Sequence, residues 1–218
     1  MKLSNLLNII LVIALLILTF LYARQKGTVD DAQAVSPTAD TMPAQPSWQQ
    51  KDIDSVALNP FTLFQQSAAL TVGNADSANS MTIGWGEIGI LWGHDCHVAT
   101  VYVRKSRFTH HLMEQNATFT IEGFGTEYAD QMKYLGTASG RDEDKMKGCG
   151  LKVKQLPSGN IAFEEGKIII ECRKLYSYDM NTQQMDSSVV SRWYTRGDDF
   201  DNIHTAYVGE ITAVWVKE

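Results

Sequence analysis

The stretch NSMTIGWGEIGILWG, residues 79–93, contains four glycines, two tryptophans and a single charged residue, Glu87. Helices disfavour this much glycine because glycine loses the most backbone freedom when it is ordered. Two interpretations stay open. A bare backbone next to aromatic rings suits the close approach of a flat ligand. The same composition is also typical of a bulged, half-buried strand.

The composition of the whole chain is that of a globular protein. It has 218 residues, of which 44% are hydrophobic and 20% are charged, enough for one domain with additional segments. The formal net charge is −6. Nucleic-acid binding requires clustered Lys and Arg to neutralise phosphates, so we predict no nucleic-acid partner.

The N-terminus carries an apolar run over residues 6–23, interrupted only by Asn8 and Thr19. This length lies at the short end of a membrane span, and a cleavable signal peptide is the alternative. The residues around Tyr22 make a poor cleavage site. We therefore predict a membrane anchor over residues 1–26. The basic residues flanking the run are balanced and leave its orientation open, and we favour a membrane-anchored protein with an extracytoplasmic domain.

Residues 27–47 are predicted to form a flexible linker. They contain three of the five prolines and no aromatic residue, and such a composition cannot build a core. The folded domain is then expected over residues 48–218.

Within this domain, β-branched and aromatic segments separated by turn residues indicate antiparallel strands. The segments with this composition are residues 69–74, 97–104, 117–124, 160–178 and 207–217. The range 160–178 is predicted to be a hairpin. Helices are predicted at residues 109–116, 127–136 and 142–150. A fold that is mainly β with inserted helices points to a β-barrel and argues against a doubly wound parallel sheet.

The run HDCH, residues 94–97, contains four potential metal ligands. Neighbouring residues on a strand point to opposite faces, so the four cannot converge on one ion, and we predict no metal site. The three cysteines form no CxxC pair. Cys172 is expected to be a packed apolar residue, whereas export would permit a bridge between Cys96 and Cys149.

Two basic segments precede predicted helices. RKSRFT, residues 104–109, combines three cations with two hydroxyls, and Ser106 and Thr109 are candidate N-caps. A helix start with arginines can bind phosphate, although a capped helix with surface charges also explains the pattern. SGRDEDK, residues 139–145, repeats the arrangement more weakly. His204 precedes the last strand and could contact a bound ring or be a loop residue without a role.

These segments together resemble one family. NSMTIGWGEIGILWG, VRKSRFTHHLMEQNATFTI, LGTASGRDEDK, ECRKLYSYDM and HTAYVGEI are similar, in order, to the motifs of the flavin reductase-like, FMN-binding split-barrel proteins, particularly the flavoredoxin branch. The resemblance covers roughly residues 58–216. It implies a six-stranded antiparallel split β-barrel, here preceded by an N-terminal hydrophobic helix. It also implies a homodimer with FMN near the subunit interface.

The resemblance also assigns roles to individual positions. The residues that would line the isoalloxazine are Asn79, Met81, Thr82 and Trp85. Those that would hold the ribityl phosphate are Arg104, Ser106, Arg107 and Thr109. Those that would complete the flavin pocket are Ser139, Arg141 and Lys145. His204, the candidate catalytic residue, would lie where nicotinamide or another partner docks. Gly84 and Gly86 would let the backbone approach the flavin.

The predicted function is an FMN-dependent oxidoreductase of the flavin reductase type, which passes electrons from NAD(P)H to a flavin or another acceptor. Members of the family are expected to be soluble, and the anchor and linker depart from that expectation. Outside the cytoplasm NAD(P)H is scarce. A flavoredoxin-like electron-transfer protein without a nicotinamide site is therefore an alternative. A split-barrel binding module without a cofactor is the second alternative.

Overall fold

The computed structural model describes residues 47–194 and 202–218, which all fall within one compact unit, Pro46–Glu218. The predicted anchor over residues 1–26 lies outside the described residues, as does the predicted linker apart from Ser47. Among the residues that are described, no helix is long and apolar enough to cross a membrane.

The structure contains ten strands and five α-helices within the described ranges. The strands are β1 Trp48–Lys51, β2 Ala68–Gly73, β3 Ala78–Ile83, β4 Gly86–Ile90, β5 His97–Arg104, β6 Thr118–Gly123, β7 Val153–Gln155, β8 Ile161–Phe163, β9 Ile168–Asp179 and β10 His204–Lys217. The helices are α1 Pro60–Gln65, α2 Phe108–Gln115, α3 Ala129–Thr137, α4 Lys145–Gly148 and α5 Ser187–Trp193. Short 3₁₀ turns lie at Ile53–Ser55, Thr126–Tyr128 and Thr182–Gln184.

Eight strands form one antiparallel sheet in the order β3-β2-β6-β9-β10-β5-β4, with β1 paired to the C-terminal half of β10. The strands at the two ends of this order, β3 and β4, are joined only by Gly84 and Trp85. The three residue-to-residue steps from Ile83, at the end of β3, to Gly86, at the start of β4, span at most about 11 Å. The sheet must therefore curl until its two edges nearly meet. The quoted stretch is thus two strands and the corner that links them.

The prediction of a mainly β, antiparallel fold with inserted helices is confirmed, but the strand count differs. The sheet has eight strands instead of six. Within the described residues no backbone ladder joins β3 to β4, so the barrel is not closed. The N-terminal hydrophobic helix of the predicted fold lies outside the described residues.

The predicted hairpin over residues 160–178 is wrong. Strand β8 pairs with β7 across a turn in which Gly159 has a φ of 90°, and β9 pairs with β6 and β10. Because both edges of β9 are already occupied, β9 cannot also pair with β8.

The helices begin and end differently from the prediction as well. Helix α3 continues past Gly136 to Thr137, and α4 is only four residues long. The reason is that residues 139–143 form a turn, in which the N–H groups of Asp142 and Glu143 donate to the carbonyl of Ser139.

Candidate functional site

The site is built around the turn that joins β5 to α2. Strand β5 ends at Arg104, and the N–H of Arg107 donates to the Arg104 carbonyl over 2.9 Å. Arg107 is the N-cap residue of α2, and no side chain caps this helix. Ser106 and Thr109, predicted as caps, do not serve as such. The first-turn N–H groups of α2 are therefore left without a side-chain acceptor.

A basic cleft of about 110 Å³ lies beside this turn. It is lined by Asn79, Met81, Ser106, Arg107, Phe108, Thr109, Leu135, Gly136, Thr137, Ala138, Ser139, Gly140, Arg141 and Lys145. Among these described lining residues three are cations and none is an acid. This is unusual in a chain whose net charge is −6. The cleft is therefore electrostatically suited to an anion.

The three cations differ in how they are held. Arg141 Nη1 donates to the carbonyl of Ser106 over 2.8 Å. Lys145 is only 4% exposed, and its Nζ donates to the carbonyl of Leu135 over 2.5 Å. Burial, and secondarily the charge of Arg107, lowers the pKa of Lys145 to about 8. Arg107 itself is exposed, and its guanidinium makes no hydrogen bond or ion pair with any described residue.

Close packing shapes the wall of the cleft. Asn79 Nδ2 donates to Thr109 Oγ1 over 2.8 Å, which ties β3 to the start of α2. A Cβ on Gly140 would lie 2.4 Å from Asn79 Oδ1 and 2.6 Å from the ring of Phe108. Sequence reasoning singled out neither Gly140 nor Phe108 as a site residue. Both lie inside the two basic segments. Their position next to an arginine, Gly140 before Arg141 and Phe108 after Arg107, is the sequence feature that could have identified them.

A second cleft of about 170 Å³ adjoins the first and shares Met81 and Arg107 with it. It is lined by Met81, Thr82, Ile83, Gly84, Trp85, Tyr102, Arg104, Arg107 and His204. The twelve residues named for the isoalloxazine, the phosphate, the flavin pocket and catalysis all line one of the two clefts, whereas Gly86 lines neither. The structure therefore brings the predicted set together from β3, the corner before β4, β5 and the turn after it, α2, the segment after α3, α4 and β10.

Trp85 and His204 of the second cleft belong to a cluster of aromatic rings that extends behind its lining to Trp193 and Tyr194. The rings of Trp85 and His204 lie 4.5 Å apart, and that of Trp193 meets Trp85 edge-on at 5.2 Å. His204 is buried, and its Nδ1 lies 2.8 Å from the hydroxyl of Tyr194. The predicted catalytic histidine is thus covered by an indole on one side and hydrogen-bonded to a phenol.

Two other predicted residues already have structural partners. Arg104 donates to the carbonyls of Asn202 and Trp193, over 3.0 and 2.9 Å. Thr82 Oγ1 donates to the carbonyl of Met132, which ties β3 to α3. Both side chains line the second cleft while also holding backbone segments in place.

The glycines of the corner have different roles. Gly84 is open towards the second cleft, where it borders Trp85. Gly86, in contrast, is packed against the ring of Phe64. Its missing side chain therefore makes room for the core and is not explained by the approach of a ligand.

The remaining candidates do not form a further site. His97 Nε2 contacts Asp54 Oδ1 at 2.9 Å. In the described residues no three His, Cys, Asp or Glu side chains come together as metal ligands. All three cysteines are free, and Cys172 is fully buried, as predicted for a packed apolar residue.

One family model and several solved structures match this chain. The family model described as the flavin reductase like domain matches residues 65–218. No curated protein sequence matches the chain.

Among solved structures, the flavoredoxin of Methanosarcina acetivorans is 20% identical, with 70% of this chain and 68% of that chain covered and a TM-score of 0.54. An FMN-binding protein of Thermus thermophilus with bound p-hydroxybenzaldehyde is 23% identical over 70% and 71%, with a TM-score of 0.53. An NADH:FAD oxidoreductase of Streptomyces globisporus is 14% identical over 70% and 76%, with a TM-score of 0.51. At these identities the likeness shows the fold alone.

Proposed function

Because this chain belongs to the flavin reductase like domain family, we propose that it is an FMN-dependent oxidoreductase that binds the cofactor across the two adjoining clefts. The observation that carries the proposal is the lining of the basic cleft, with three cations and no acid among the described residues. A phosphate is the part of FMN that such a lining would hold.

The residues present fit an anionic cofactor. The guanidinium of Arg107, which has no partner in the described part of the chain, offers the planar fork that binds phosphate oxygens, and the uncapped start of α2 offers backbone N–H groups beside it. Lys145 is buried and its pKa is lowered, so a negative charge bound beside it would stabilise its ammonium form. Arg141, which braces the Ser106 carbonyl, keeps the turn in place.

The second cleft would take the ring end of the cofactor. Met81 and Trp85 contribute apolar side chains to its lining, and Gly84 adds no side chain there. When bound, FMN supplies the hydride and electron chemistry, while the protein supplies position and electrostatics. Met81 and Arg107, which line both clefts, would then contact the middle of the cofactor.

We further propose that a second copy of the chain completes the site. The two clefts measure about 110 and 170 Å³, whereas pockets that bury a drug-sized ligand usually span roughly 300–1,000 Å³. A homodimer would supply the missing wall. Tethering through the apolar N-terminal run, with the domain outside the cytoplasm, is likewise a proposal that rests on the sequence alone.

NAD(P)H is the proposed electron donor, by analogy with the NADH:FAD oxidoreductase of the same fold. One observation favours a second candidate, an electron-transfer protein without a nicotinamide site. His204, the residue predicted to border the donor, is covered by Trp85 and bonded to Tyr194. A donor ring could stack there only if Trp85 moved.

The test begins with the visible absorption spectrum of the purified full-length protein in detergent, and with identification of any released chromophore by mass. A yellow protein that releases FMN supports the proposal. A colourless protein that also fails to bind added FMN contradicts it and favours a binding module. Stopped-flow mixing with NADH and NADPH then separates the two redox candidates. Rapid reduction supports the reductase, and FMN that stays oxidised until a protein donor is added supports the carrier.

A further inference from the structure

Asp179, the last residue of β9, receives hydrogen bonds from two different elements. Lys105 Nζ lies 2.5 Å from Asp179 Oδ2, and Thr205 Oγ1 donates to Asp179 Oδ1 over 2.7 Å. Thr205 in turn lies 3.0 Å from His110 Nε2. None of these four residues lines either cleft.

The direction of this chain of contacts follows from the chemistry of the hydroxyl. Thr205 has one hydrogen, and that hydrogen goes to Asp179, so its oxygen accepts from His110. Neutral His110 is therefore protonated at Nε2. Burial lowers the pKa of His110, which keeps the ring neutral. Lys105 and Thr205, the two donors to Asp179, lower the pKa of its carboxyl, which keeps it ionised.

Lys105 precedes Ser106 and Arg107 of the turn, and His110 follows them in the first turn of α2. Lys105 reaches Asp179 directly, and His110 reaches it through Thr205. One carboxylate thus ties both flanks of the turn to the end of β9. One helical turn further along α2, Tyr207 Oη donates to Glu114 Oε1 over 2.6 Å, so the rest of the helix has a separate attachment to β10.

We propose that Asp179 is a positioning residue for the basic cleft: by holding Lys105 and, through Thr205, His110, it fixes the orientation of the Arg107 turn. The part of this inference that concerns cofactor affinity rests on the proposed function. Asp179 does not contact the cleft, so its effect must pass through the turn.

A purely electrostatic role of Asp179 and a positioning role predict opposite changes in FMN affinity when Asp179 is removed, so the two can be distinguished. Removing a carboxylate near an anion-binding cleft strengthens anion binding if only charge matters. Loss of positioning weakens binding instead, because a turn whose flanks are no longer held must be ordered when the ligand binds. The sign of the change in FMN affinity therefore separates the two.

Three substitutions dissect the network. Asp179→Ala removes both ties, Lys105→Met removes only the ion pair, and Thr205→Val removes only the link to His110. Glu210→Gln is the matched control, because the Arg173–Glu210 pair also joins β9 to β10 but lies away from the turn. Circular dichroism first confirms that each variant is folded, and Thr205→Val serves where Asp179→Ala does not fold.

The experiment measures hydrogen–deuterium exchange of the peptide spanning residues 104–110 without ligand, and the Kd for FMN, in the full-length protein. We expect faster exchange and an FMN Kd raised about tenfold in Asp179→Ala, with partial effects in the other two variants and none in Glu210→Gln. Unchanged exchange, or faster exchange with equal or tighter FMN binding, overturns the inference. Exchange needs no cofactor. A wild-type protein that binds no FMN therefore contradicts the proposed function, while exchange still decides whether Asp179 holds the turn.

Discussion

The ring of Phe64 occupies the space that a side chain at position 86 would need. A Cβ built on Gly86 would lie 2.2 Å from Cζ of Phe64, whereas a Cβ on Gly84 would meet only the Phe64 carbonyl, at 3.7 Å. Two glycines that are separated by one residue in the corner between β3 and β4 therefore serve different purposes.

This difference predicts opposite results for two similar substitutions. Gly86→Ala overpacks the core around Phe64 and should lower the free energy of unfolding by about 1–3 kcal/mol. Gly84→Ala meets no such obstacle and should change it by less than about 1 kcal/mol. Urea denaturation of both variants checks the expectation. Equal losses for the two would mean that Phe64 moves aside.

The sequence predicts strands best where side chains alternate and are β-branched. Strand β5, His97–Arg104, matches the prediction for residues 97–104 in full. For residues 79–93 a strand was only one of two open interpretations, because the glycines of β4 lower its β-propensity and because β3 and β4 pair at opposite ends of the sheet order. The hairpin at 160–178 failed because nothing local shows that β9 is paired on both sides.

The candidate site likewise has features that the sequence predicts and features that it does not. The family motifs keep their order along the chain, and the twelve residues named from them line two adjoining clefts, while their roles in binding stay predictions. Contacts such as Thr205 with His110 depend on how β10 aligns with α2, and these residues are 95 positions apart in the sequence. The partners of Arg104 could not be predicted either, since backbone carbonyls carry no sequence signature.

Arg104 and Arg107 should separate stability from cofactor binding. Arg104 donates to two backbone carbonyls, so Arg104→Ala should lower the free energy of unfolding by about 1.5–3 kcal/mol. Arg107 has no partner among the described residues. Arg107→Ala should therefore change stability by less than about 0.5 kcal/mol but weaken FMN binding by about 1.5–3 kcal/mol. Thermal unfolding and flavin fluorescence titration measure the two quantities. Equal effects of both variants on FMN affinity would show that Arg104 also binds the phosphate.

Glu122 should make the protein less stable as the pH rises. It is fully buried, accepting from Thr71 Oγ1 and the Phe163 N–H, both over 2.7 Å. Burial raises the pKa of Glu122 to about 8 from its ordinary 4.5. Between these values the folded state binds more protons at Glu122 than the unfolded state, so the contribution of Glu122 to the free energy of unfolding falls as the pH increases and levels off above about 8.

Glu122→Gln provides the control for this prediction. The amide can donate to Thr71 and accept from Phe163 without a charge, so the decline across this pH range should become flatter. Urea denaturation at several pH values between about 5 and 8 measures it. A wild-type protein whose stability is constant over that range would show that Glu122 is ionised without cost.

Lys145 should make FMN binding weaken in mildly alkaline solution. Its folded-state pKa is about 8, below its ordinary 10.5, so stability should rise between these two values, where the unfolded state binds more protons. A phosphate bound beside Lys145 favours the ammonium form, and ligand binding must then be coupled to proton uptake above about pH 8. The second ionisation of a phosphate monoester, at about pH 6, lies below this window and does not contribute.

We therefore expect the FMN Kd to increase from about pH 7 to about pH 9 in the wild type, and to be higher but less pH-dependent in Lys145→Met. Titrations of flavin fluorescence at the two pH values test whether Lys145 contacts the phosphate. An equal Kd at both pH values in the wild type would place Lys145 outside the phosphate site.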